Sequence, residues 1–305
     1  MNPAWSVIVF TTVAGAAQGL VVVVALLVLF GARIGERFAA TSLWLALVML
    51  LLGLAASFLH LGRPERAWRA AAMWRTSWLS REVIVLPLFI ATVALWAAWG
   101  RGAPPWLALL ALLLAALLWW CTAMIYACLR FIQEWAHPLT LLNYTLIGLA
   151  SGAVLAAALA ALLGDLPVLR TVAPAALFAT ALAAFTRWLS LQRNAGLKPK
   201  STIQSATGLR QPRVVQVSMG MTGGSFNTRE FFHGRSLAAL RHVKLGFALA
   251  AFALPAALLL WGLLAGSAVA FVAAALVQAP GLLAERWFFF AQARHPQNLY
   301  YQVVS

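Results

Sequence analysis

Eight apolar runs with few or no charges, each long enough to cross a lipid bilayer, constrain this chain more than any other feature. They cover roughly residues 5–31, 38–60, 83–100, 105–129, 138–163, 170–190, 245–265 and 267–290. A spanning helix needs about 20 apolar residues, and lipid leaves the backbone no partner outside the helix. The sequence therefore predicts an all-α integral membrane protein, a bundle of eight transmembrane helices forming one domain over residues 1–305. The first run has no Lys or Arg ahead of it, so it is predicted to be a retained helix.

Composition supports a membrane protein and changes the meaning of the net charge. Of the 305 residues, 63% are hydrophobic and only 10% are charged, and the mean hydropathy is +0.88. A net charge of +15 in a soluble protein would suggest nucleic acid as a partner. In a membrane protein the same charge sets the orientation in the bilayer, so no nucleic-acid partner is predicted.

The basic residues fall almost entirely on one side of the predicted bundle. The other side carries four of the 22 Lys and Arg residues, namely Arg33, Arg37, Arg101 and Arg170. Positive charge in short loops marks the cytoplasmic side. Both termini, the arginine-rich segment 57–83 and a long polar loop between helices 6 and 7, at residues 187–244, are therefore predicted to be cytoplasmic. In segment 57–83 the arginines and tryptophans have an amphipathic spacing, which predicts a helix lying along the interface, where arginines also bind anionic lipid head groups.

Ionisable or hydroxyl groups lie at the predicted cytoplasmic helix ends, where they could handle a proton or a ligand. These residues are His60, Arg81, Glu82, Tyr126 and Glu285. Each also has a structural interpretation: Arg81 sets topology, Glu82 suits a helix N-terminus, Tyr126 anchors the interface, and Glu285 pairs with Arg286 or another arginine. Trp68, Trp74, Trp78 and Trp135 are expected in the interface belt. No charge is expected at mid-depth, which disfavours a transporter.

Cysteine and histidine placement gives no support for a metal or haem in this chain. Cys121 and Cys128 are seven residues apart on one predicted helix, which is about 10 Å along the axis and beyond disulfide reach. The sequence has no C-x-x-C pair. All five histidines lie at or beyond predicted helix ends, so a bis-histidine haem is not expected.

Several separate blocks resemble the anchor subunit family of dimethyl sulfoxide reductase. They are "PAWSVIVFTTVAGAAQGL", "SFLHLGRPERAWRA" with "TSWLSRE", "MIYACLRFIQEW" and "LLAERWFFFAQARHPQNLYY". The resemblance implies a haem-free, eight-helix, quinone-reactive subunit in the bacterial inner membrane. It also implies two partners, a molybdopterin catalytic subunit and an iron-sulfur electron-transfer subunit, which hold those cofactors themselves.

The loop motif "SMGMTGGSFNTREFFHG" is similar to membrane subunits of cytoplasmic sulfite dehydrogenase complexes. Anchors of dimethyl sulfoxide reductases place their partners and both termini on the periplasmic side, whereas the charge distribution here predicts cytoplasmic termini. Both observations favour sulfite oxidation with quinone reduction over a quinol-oxidising anchor. A purely structural anchor and a transporter are the alternatives from other classes.

The resemblance implies roles for particular residues. His60 matches the family's "HLG" histidine, which implies quinone binding, and Arg81, Glu82, Tyr126 and Glu285 are the further candidates for quinone binding or proton relay. Docking of the iron-sulfur subunit is expected on segment 57–83 and on loop 187–244. The docking candidates are Arg63, Arg66, Arg69, Arg229, Glu230 and His233.

Overall fold

The structure, a computed structural model, contains ten α-helices within the residues that it describes. Those residues are 4–59, 61–100, 102–215, 217 and 237–296, with the backbone alone at 237–240. The helices are α1 (Trp5–Leu29), α2 (Glu36–Phe58), α3 (Trp78–Trp99), α4 (Pro105–Ala127), α5 (Pro138–Leu163), α6 (Leu166–Ala195), α7 (Ile203–Thr207), α8 (Leu237–Phe247), α9 (Leu254–Ala265) and α10 (Ala268–Ala291). A 3-10 helix (Pro64–Ala71) follows α2, and a π-helical segment (Ala248–Ala253) joins α8 to α9.

Eight helical spans in the described part of the chain are long and apolar enough to cross a membrane, which confirms that part of the predicted fold. Seven are α1 to α6 and α10, and the other, Arg241–Ala265, combines α8, the π segment and α9. An even number of crossings brings the start of α1 and the end of α10 to the same end of the bundle. We call this end the terminal face and the opposite end the far face.

Helices α3 and α6 extend beyond the boundaries that charge alone predicted. Helix α3 begins at Trp78 because Ser77 caps it, its hydroxyl accepting a hydrogen bond from the Ser80 amide at 3.3 Å. Helix α6 continues to Ala195, since no Gly or Pro interrupts the chain between Pro174 and Gly196. Residues 191–195, predicted as part of the long loop, are therefore helical, as are residues 187–190, where the predicted helix and loop overlap.

The centre of the bundle is the contact between α1 and α5, the two most buried spans. Gly19 of α1 faces Gly148 and Gly152 of α5, and a Cβ atom at Gly19 or Gly152 would overlap the backbone of the opposite helix. Small residues let helices approach closely in lipid, where dispersion contacts between helices replace the hydrophobic effect. The outer surface, by contrast, exposes large side chains such as Trp44, as expected where lipid covers it.

One acidic side chain joins two loops at the far face. The Gly35 amide donates a hydrogen bond to Asp165 Oδ2 at 2.7 Å, across 130 residues of sequence. Asp165 Oδ1 also accepts from the Val168 amide at 3.3 Å and so caps α6. The start of α2 is thereby fixed to the start of α6.

The π segment is held against α10. Gly281 lies so close to it that a Cβ atom would overlap the backbone of Ala250 and Ala251. Gln278, also buried in α10, donates its side-chain amide to the Ala251 carbonyl oxygen at 3.2 Å. Short π-helical insertions within α-helices are frequently found at functional sites.

Candidate functional site

Among the described residues, four ionisable side chains are buried in the half of the bundle nearest the terminal face: Glu82, Arg187, Glu285 and Arg286. Each lies four to eight residues from the end of its helix at that face, or about 6–12 Å along the axis. The structure places Arg187 inside α6, in the stretch where the predicted helix 170–190 and the predicted loop 187–244 overlap. Buried charges in a membrane are expensive and mark functional sites unless structural pairing explains them.

Arg187 and Glu285 form a buried ion pair between α6 and α10. Arg187 Nε lies 2.7 Å from Glu285 Oε1, and each side chain is only 2% exposed. The pairing with another arginine, one of the two structural interpretations for Glu285, is therefore present. Arg187 Nη2 and Glu285 Oε2 have no hydrogen-bond partner among the described residues. Such buried polar atoms usually contact water or a ligand.

Arg286 packs against aromatic rings and forms no ion pair with a carboxylate of the described residues. Its guanidinium carbon lies 3.8 Å from the centre of the Tyr144 ring and 5.5 Å from that of Phe289. A cation over an aromatic face is stabilised by the ring quadrupole, most strongly where water is excluded. Arg286 is thus kept charged next to Glu285.

Glu82 points into the bundle and binds α4. The Thr122 hydroxyl donates a hydrogen bond to Glu82 Oε1, and both side chains are buried. A threonine hydroxyl can accept another hydrogen bond while it donates this one. The pair can therefore pass a proton toward any water that reaches Thr122.

A narrow polar cavity lies between the Glu82–Thr122 pair and the Arg187–Glu285 pair. Thr122 lies on one wall, and Glu285 and Arg286 lie on another. Its space suffices for about one or two water molecules. Five buried polar atoms that have no hydrogen-bond partner among the described residues belong to lining residues: Thr12 Oγ1, Trp119 Nε1, Tyr144 Oη, Glu285 Oε2 and Arg286 Nε. The cavity suits bound water, and it is too small for a ring-sized ligand.

Tyr126 lies outside this cavity, in an aromatic cluster at the terminal face. It stacks on Tyr144 at 5.7 Å between ring centres and meets Trp135 edge-on at 5.3 Å. Trp135 is buried and donates its indole N–H to the Phe289 carbonyl oxygen at 3.0 Å. Trp135 is therefore packed inside the protein and does not lie in the interface belt. Tyr126 is only partly buried, and its contact with a residue that lines the cavity is the one with Tyr144.

Arg81, next to Glu82 in sequence, faces outward. Its Nε donates to the Trp74 carbonyl oxygen at 2.9 Å, its Nη2 to that of Arg75 at 2.8 Å, and its guanidinium covers the Trp78 ring at 4.1 Å. These contacts place Arg81 at the rim of a groove of about 440 Å³, which we call the α3/α4 groove. Its lining residues are Trp74, Trp78, Arg81, Ile84, Val85, Leu117, Trp120 and Cys121.

The structure describes only some of the residues predicted to dock the iron-sulfur subunit. Arg63, Arg66 and Arg69 are exposed on or beside the 3-10 helix, where Arg66 makes a loose 3.9 Å pair with Glu65. His60, Arg229, Glu230 and His233 lie outside the described residues. The structure therefore places three of the six docking candidates and four of the five candidates for quinone binding or proton relay.

At the terminal face, the loop between α4 and α5 is hydrogen-bonded to α6 and to the segment that follows α6. Arg193 of α6 donates to the Gln133 carbonyl oxygen at 3.0 Å, and Gln133 donates its side-chain amide to the Lys198 carbonyl oxygen at 3.2 Å. His137 caps α5, its Nδ1 accepting from the Leu139 amide at 3.2 Å. Partial burial, with a smaller effect of Arg193, lowers the pKa of His137, so the cap is neutral at pH 7.

Sequence reasoning missed Thr122, Tyr144 and Arg187. The uninterrupted helical stretch around Arg187, with its next glycine at Gly196, was the available signal for an arginine within a span. Thr122 and Tyr144 had none, because their importance depends on which neighbours face them. In the described part of the chain, His, Cys, Asp and Glu side chains form no group of three or more suited to a metal.

Two comparisons with known proteins extend the geometry. The family model described as "DMSO reductase anchor subunit (DmsC)" matches residues 1–217. The chain is also 49% identical to one of the subunits of a sulfite dehydrogenase from Allochromatium vinosum, with both proteins covered over 100% of their length. The family match includes α1 to α6, hence Glu82, Thr122 and Arg187, and the full-length relative extends the likeness to α10 and Glu285.

Proposed function

Because the chain belongs to the DMSO reductase anchor subunit family, we propose that it anchors a sulfite dehydrogenase to the membrane and reduces quinone with the electrons from sulfite. A molybdopterin subunit would oxidise sulfite, and an iron-sulfur subunit would deliver the electrons to the terminal face. The observation that supports the quinone role most strongly is a set of buried polar groups, Glu82, Thr122 and Glu285, near the α3/α4 groove, which opens to lipid. The full-length likeness to a sulfite dehydrogenase subunit supports the substrate.

The α3/α4 groove has the properties that a quinone headgroup and its tail require. Its walls are apolar and aromatic, one cation lies at its rim, and its volume of about 440 Å³ is within the range of small-molecule sites. Arg81 would orient the headgroup by hydrogen bonds to its carbonyl oxygens, and His60, which lies outside the described residues, is assigned to quinone binding from the family's "HLG" motif alone. When bound, the quinone supplies a two-electron, two-proton acceptor.

The buried groups would supply protons to that groove. Glu82 sits on the inner side of α3, and Thr122 connects it to the water-sized cavity that Glu285 lines. A carboxyl group held in this way can release and regain a proton as a general acid. We assign Glu82 and Glu285 to proton transfer, and Tyr126 to positioning Tyr144 at the wall of the cavity.

Substituting Glu82 with glutamine should lower quinone reduction by about 100-fold or more, since the amide keeps the size of the side chain but cannot exchange a proton. Sulfite oxidation with an artificial electron acceptor should be unchanged. The measurement is both rates on the purified complex. Glu65→Gln, at an exposed site on the same face, is the matched control, and equal quinone reduction rates in the two variants would remove Glu82 from the proposal.

We assign partner docking to the exposed arginines of the terminal face. Arg63, Arg66 and Arg69 present positive charge there, and the charge asymmetry of the loops supports a cytoplasmic location for this face in the bacterial inner membrane. The same assignment extends to Arg229, Glu230 and His233 in the long loop. An acidic surface on the iron-sulfur subunit would complement these arginines.

Reversing two of these charges, with Arg66→Glu and Arg69→Glu together, should reduce the partner subunits recovered with this chain by about tenfold, because like charges would then face each other. The measurement is the ratio of partners to anchor after affinity purification at low and high salt. Arg33→Glu with Arg37→Glu applies the same change at the far face and should leave the ratio unchanged. Equal recovery from both double variants would assign Arg66 and Arg69 to lipid and topology alone.

The test of the proposed function is sulfite-dependent quinone reduction by the complex purified through a tag on this chain. Molybdenum and iron should be measured in the same sample. Activity with metal-bearing partners supports the proposal. Quinol-dependent reduction of dimethyl sulfoxide, without sulfite oxidation, would support the reverse direction that the name of the matched family suggests. Absence of metal and partners would favour a transporter.

A further inference from the structure

A second groove lies between α6 and the span Arg241–Ala265, at the level of the π segment. Its volume is about 240 Å³, and we call it the α6/π groove. It opens to the outer surface, because Ala181, Trp188 and Ala253 of its lining are exposed. Its two sides carry small apolar residues, Ala181 and Ala184 on α6 and Ala253 and Ala256 on the other span. Walls of this kind suit a hydrocarbon chain.

The π segment that forms one side of the groove is held from the inside of the bundle. Gln278 of α10 donates a hydrogen bond to the Ala251 carbonyl oxygen at 3.2 Å, and Gly281 packs against the backbone of Ala250 and Ala251. These contacts fix the position of the segment while its groove side stays open to the surface. The groove is therefore a fixed feature of the fold.

Two cations continue this groove toward the terminal face. Lys244 lies four residues before Ala248, which lines the groove, and Arg241 lies three residues before Lys244. Residues three and four apart share one face of a helix, so Arg241, Lys244 and Ala248 form a single stripe. Both cations are exposed. The groove therefore has an apolar part beside the π segment and a positively charged end at the terminal face.

The last turns of α6 flank the same charged end, since α6 finishes at the terminal face where the other span begins. Gln192 is exposed and lies four residues after Trp188, on the groove side of α6. Arg193 is instead directed to the loop after α4, where it donates to the Gln133 carbonyl oxygen at 3.0 Å. Trp188 stacks on Phe185 at 6.0 Å with both rings about half exposed, as is typical of the membrane interface.

The depth of the two cations matches a lipid head group. The apolar span begins at Arg241, and Lys244 lies only about 4.5 Å further along the helix axis. Lysine and arginine side chains near a span end extend to the interface, where basic pockets between helices bind anionic head groups. An uncharged quinone ring would gain much less from two cations. The combination of an apolar groove and a positively charged end therefore favours a molecule with a hydrocarbon chain and a phosphate.

We propose that the α6/π groove binds one anionic phospholipid, with an acyl chain between α6 and the π segment and its phosphate on Arg241 and Lys244. Bound in this way, the lipid contacts both spans and stabilises their packing. The inference goes beyond the proposed function and does not rest on it, because it requires neither electron transfer nor quinone.

The test counts the lipid bound to the protein purified in detergent through a tag on this chain. Phosphatidylglycerol and phosphatidylcholine are added separately, bound lipid is counted by native mass spectrometry, and the unfolding temperature is recorded. We expect one phosphatidylglycerol per copy of this chain, with a raised unfolding temperature. Phosphatidylcholine, which has no net charge, should bind more weakly. Equal affinity for the two lipids would overturn the proposal.

One double variant tests the assigned cations. Arg241→Gln with Lys244→Gln should lower the affinity for phosphatidylglycerol by about 30-fold, the effect expected for two basic residues at a membrane surface. The affinity for phosphatidylcholine should not change. Arg33→Gln with Arg37→Gln removes two exposed arginines at the far face and is the matched control. Equal phosphatidylglycerol affinity in the two double variants would contradict the assignment.

A second variant tests the apolar part of the site. Ala181→Phe, at an exposed position of the groove, should fill it and displace the lipid without disturbing the core. Ala175→Phe, at an exposed position of α6 outside the groove, should retain the lipid. Retention in both variants would overturn the proposal. So would displacement of a quinone, or of a second copy of this chain, by Ala181→Phe in place of a phospholipid.

Failure of this inference is distinguishable from failure of the proposed function. A protein that reduces quinone with sulfite but binds no phosphatidylglycerol at this groove refutes only the lipid site. A protein that binds the lipid as described but reduces no quinone refutes only the proposed function.

Discussion

Substituting Gly152 with leucine should prevent the subunit from folding in the membrane, the largest stability effect that we expect from one residue. A Cβ atom at this position would overlap the backbone of Gly19 and Leu20. Overpacking typically costs about 1–3 kcal/mol where side chains can shift, and backbone on a central helix cannot shift without separating α1 from α5. Gly152→Ala should already lower the unfolding temperature in detergent, and Gly152→Leu should remove the complex from the membrane fraction.

The control for this prediction is Gly246→Ala in α8. No atom lies within 4 Å of the Cβ that this substitution adds. Alanine there should stabilise the helix by about 0.5–1 kcal/mol, since glycine loses more conformational freedom on folding. If Gly152→Leu assembled normally, α1 and α5 could not be in backbone contact, and the central packing described above would be wrong.

Removing one partner of the Arg187–Glu285 pair should destabilise the subunit more than removing both. Arg187→Leu leaves Glu285 buried and unpaired, and Glu285→Leu likewise leaves Arg187 buried without its ion-pair partner. Each single change is expected to cost about 3–5 kcal/mol. The double variant replaces both charges with apolar side chains and should recover part of that loss. The measurement is the unfolding temperature of all four proteins, from which the coupling between the two residues follows.

The exposed pair Glu65–Arg66 is the matched control for this cycle. Its atoms are 3.9 Å apart and its side chains are 65% and 51% exposed. Such pairs contribute about 0–1 kcal/mol, so the same cycle should show little coupling. The stability lost by the double variant of Arg187 and Glu285 could instead equal the sum of the losses in the two single variants. The two residues would then not be coupled, and their contact in the structure would not stabilise the fold.

Most of the fold could be predicted from the sequence, because spanning a bilayer imposes a length and a composition that the chain must satisfy. The eight runs correspond to the eight spans. The errors lie at the ends of the runs, where charge was taken as the limit of a helix. Arg187 is an example: the predicted loop began at this arginine, yet a single carboxylate from α10 lets it remain inside α6.

For the candidate site, the sequence predicted how deep each residue lies in the bundle, but not to which side of its helix the side chain points. Arg81 and Glu82 are adjacent and share one depth, but they point to opposite sides of α3, one to lipid and one to Thr122. Helix spacing could not assign these directions, because the spans are apolar nearly all round and show no polar face. Tyr126 has the same difficulty, since its neighbours come from α5, α10 and the loop after α4.

The confinement of the polar cavity to one half of the bundle has an energetic consequence for the cell. The buried residues of α1 from Gly19 to Leu27, and those of α5 from Gly152 onward, are apolar, so protons have no polar path to the far face through this central pair. On the proposed function, electrons and protons both reach the quinone from the terminal face. No charge then crosses the bilayer, and the reaction is electroneutral. Membrane potential would be generated only later, by whichever complex reoxidises the quinol.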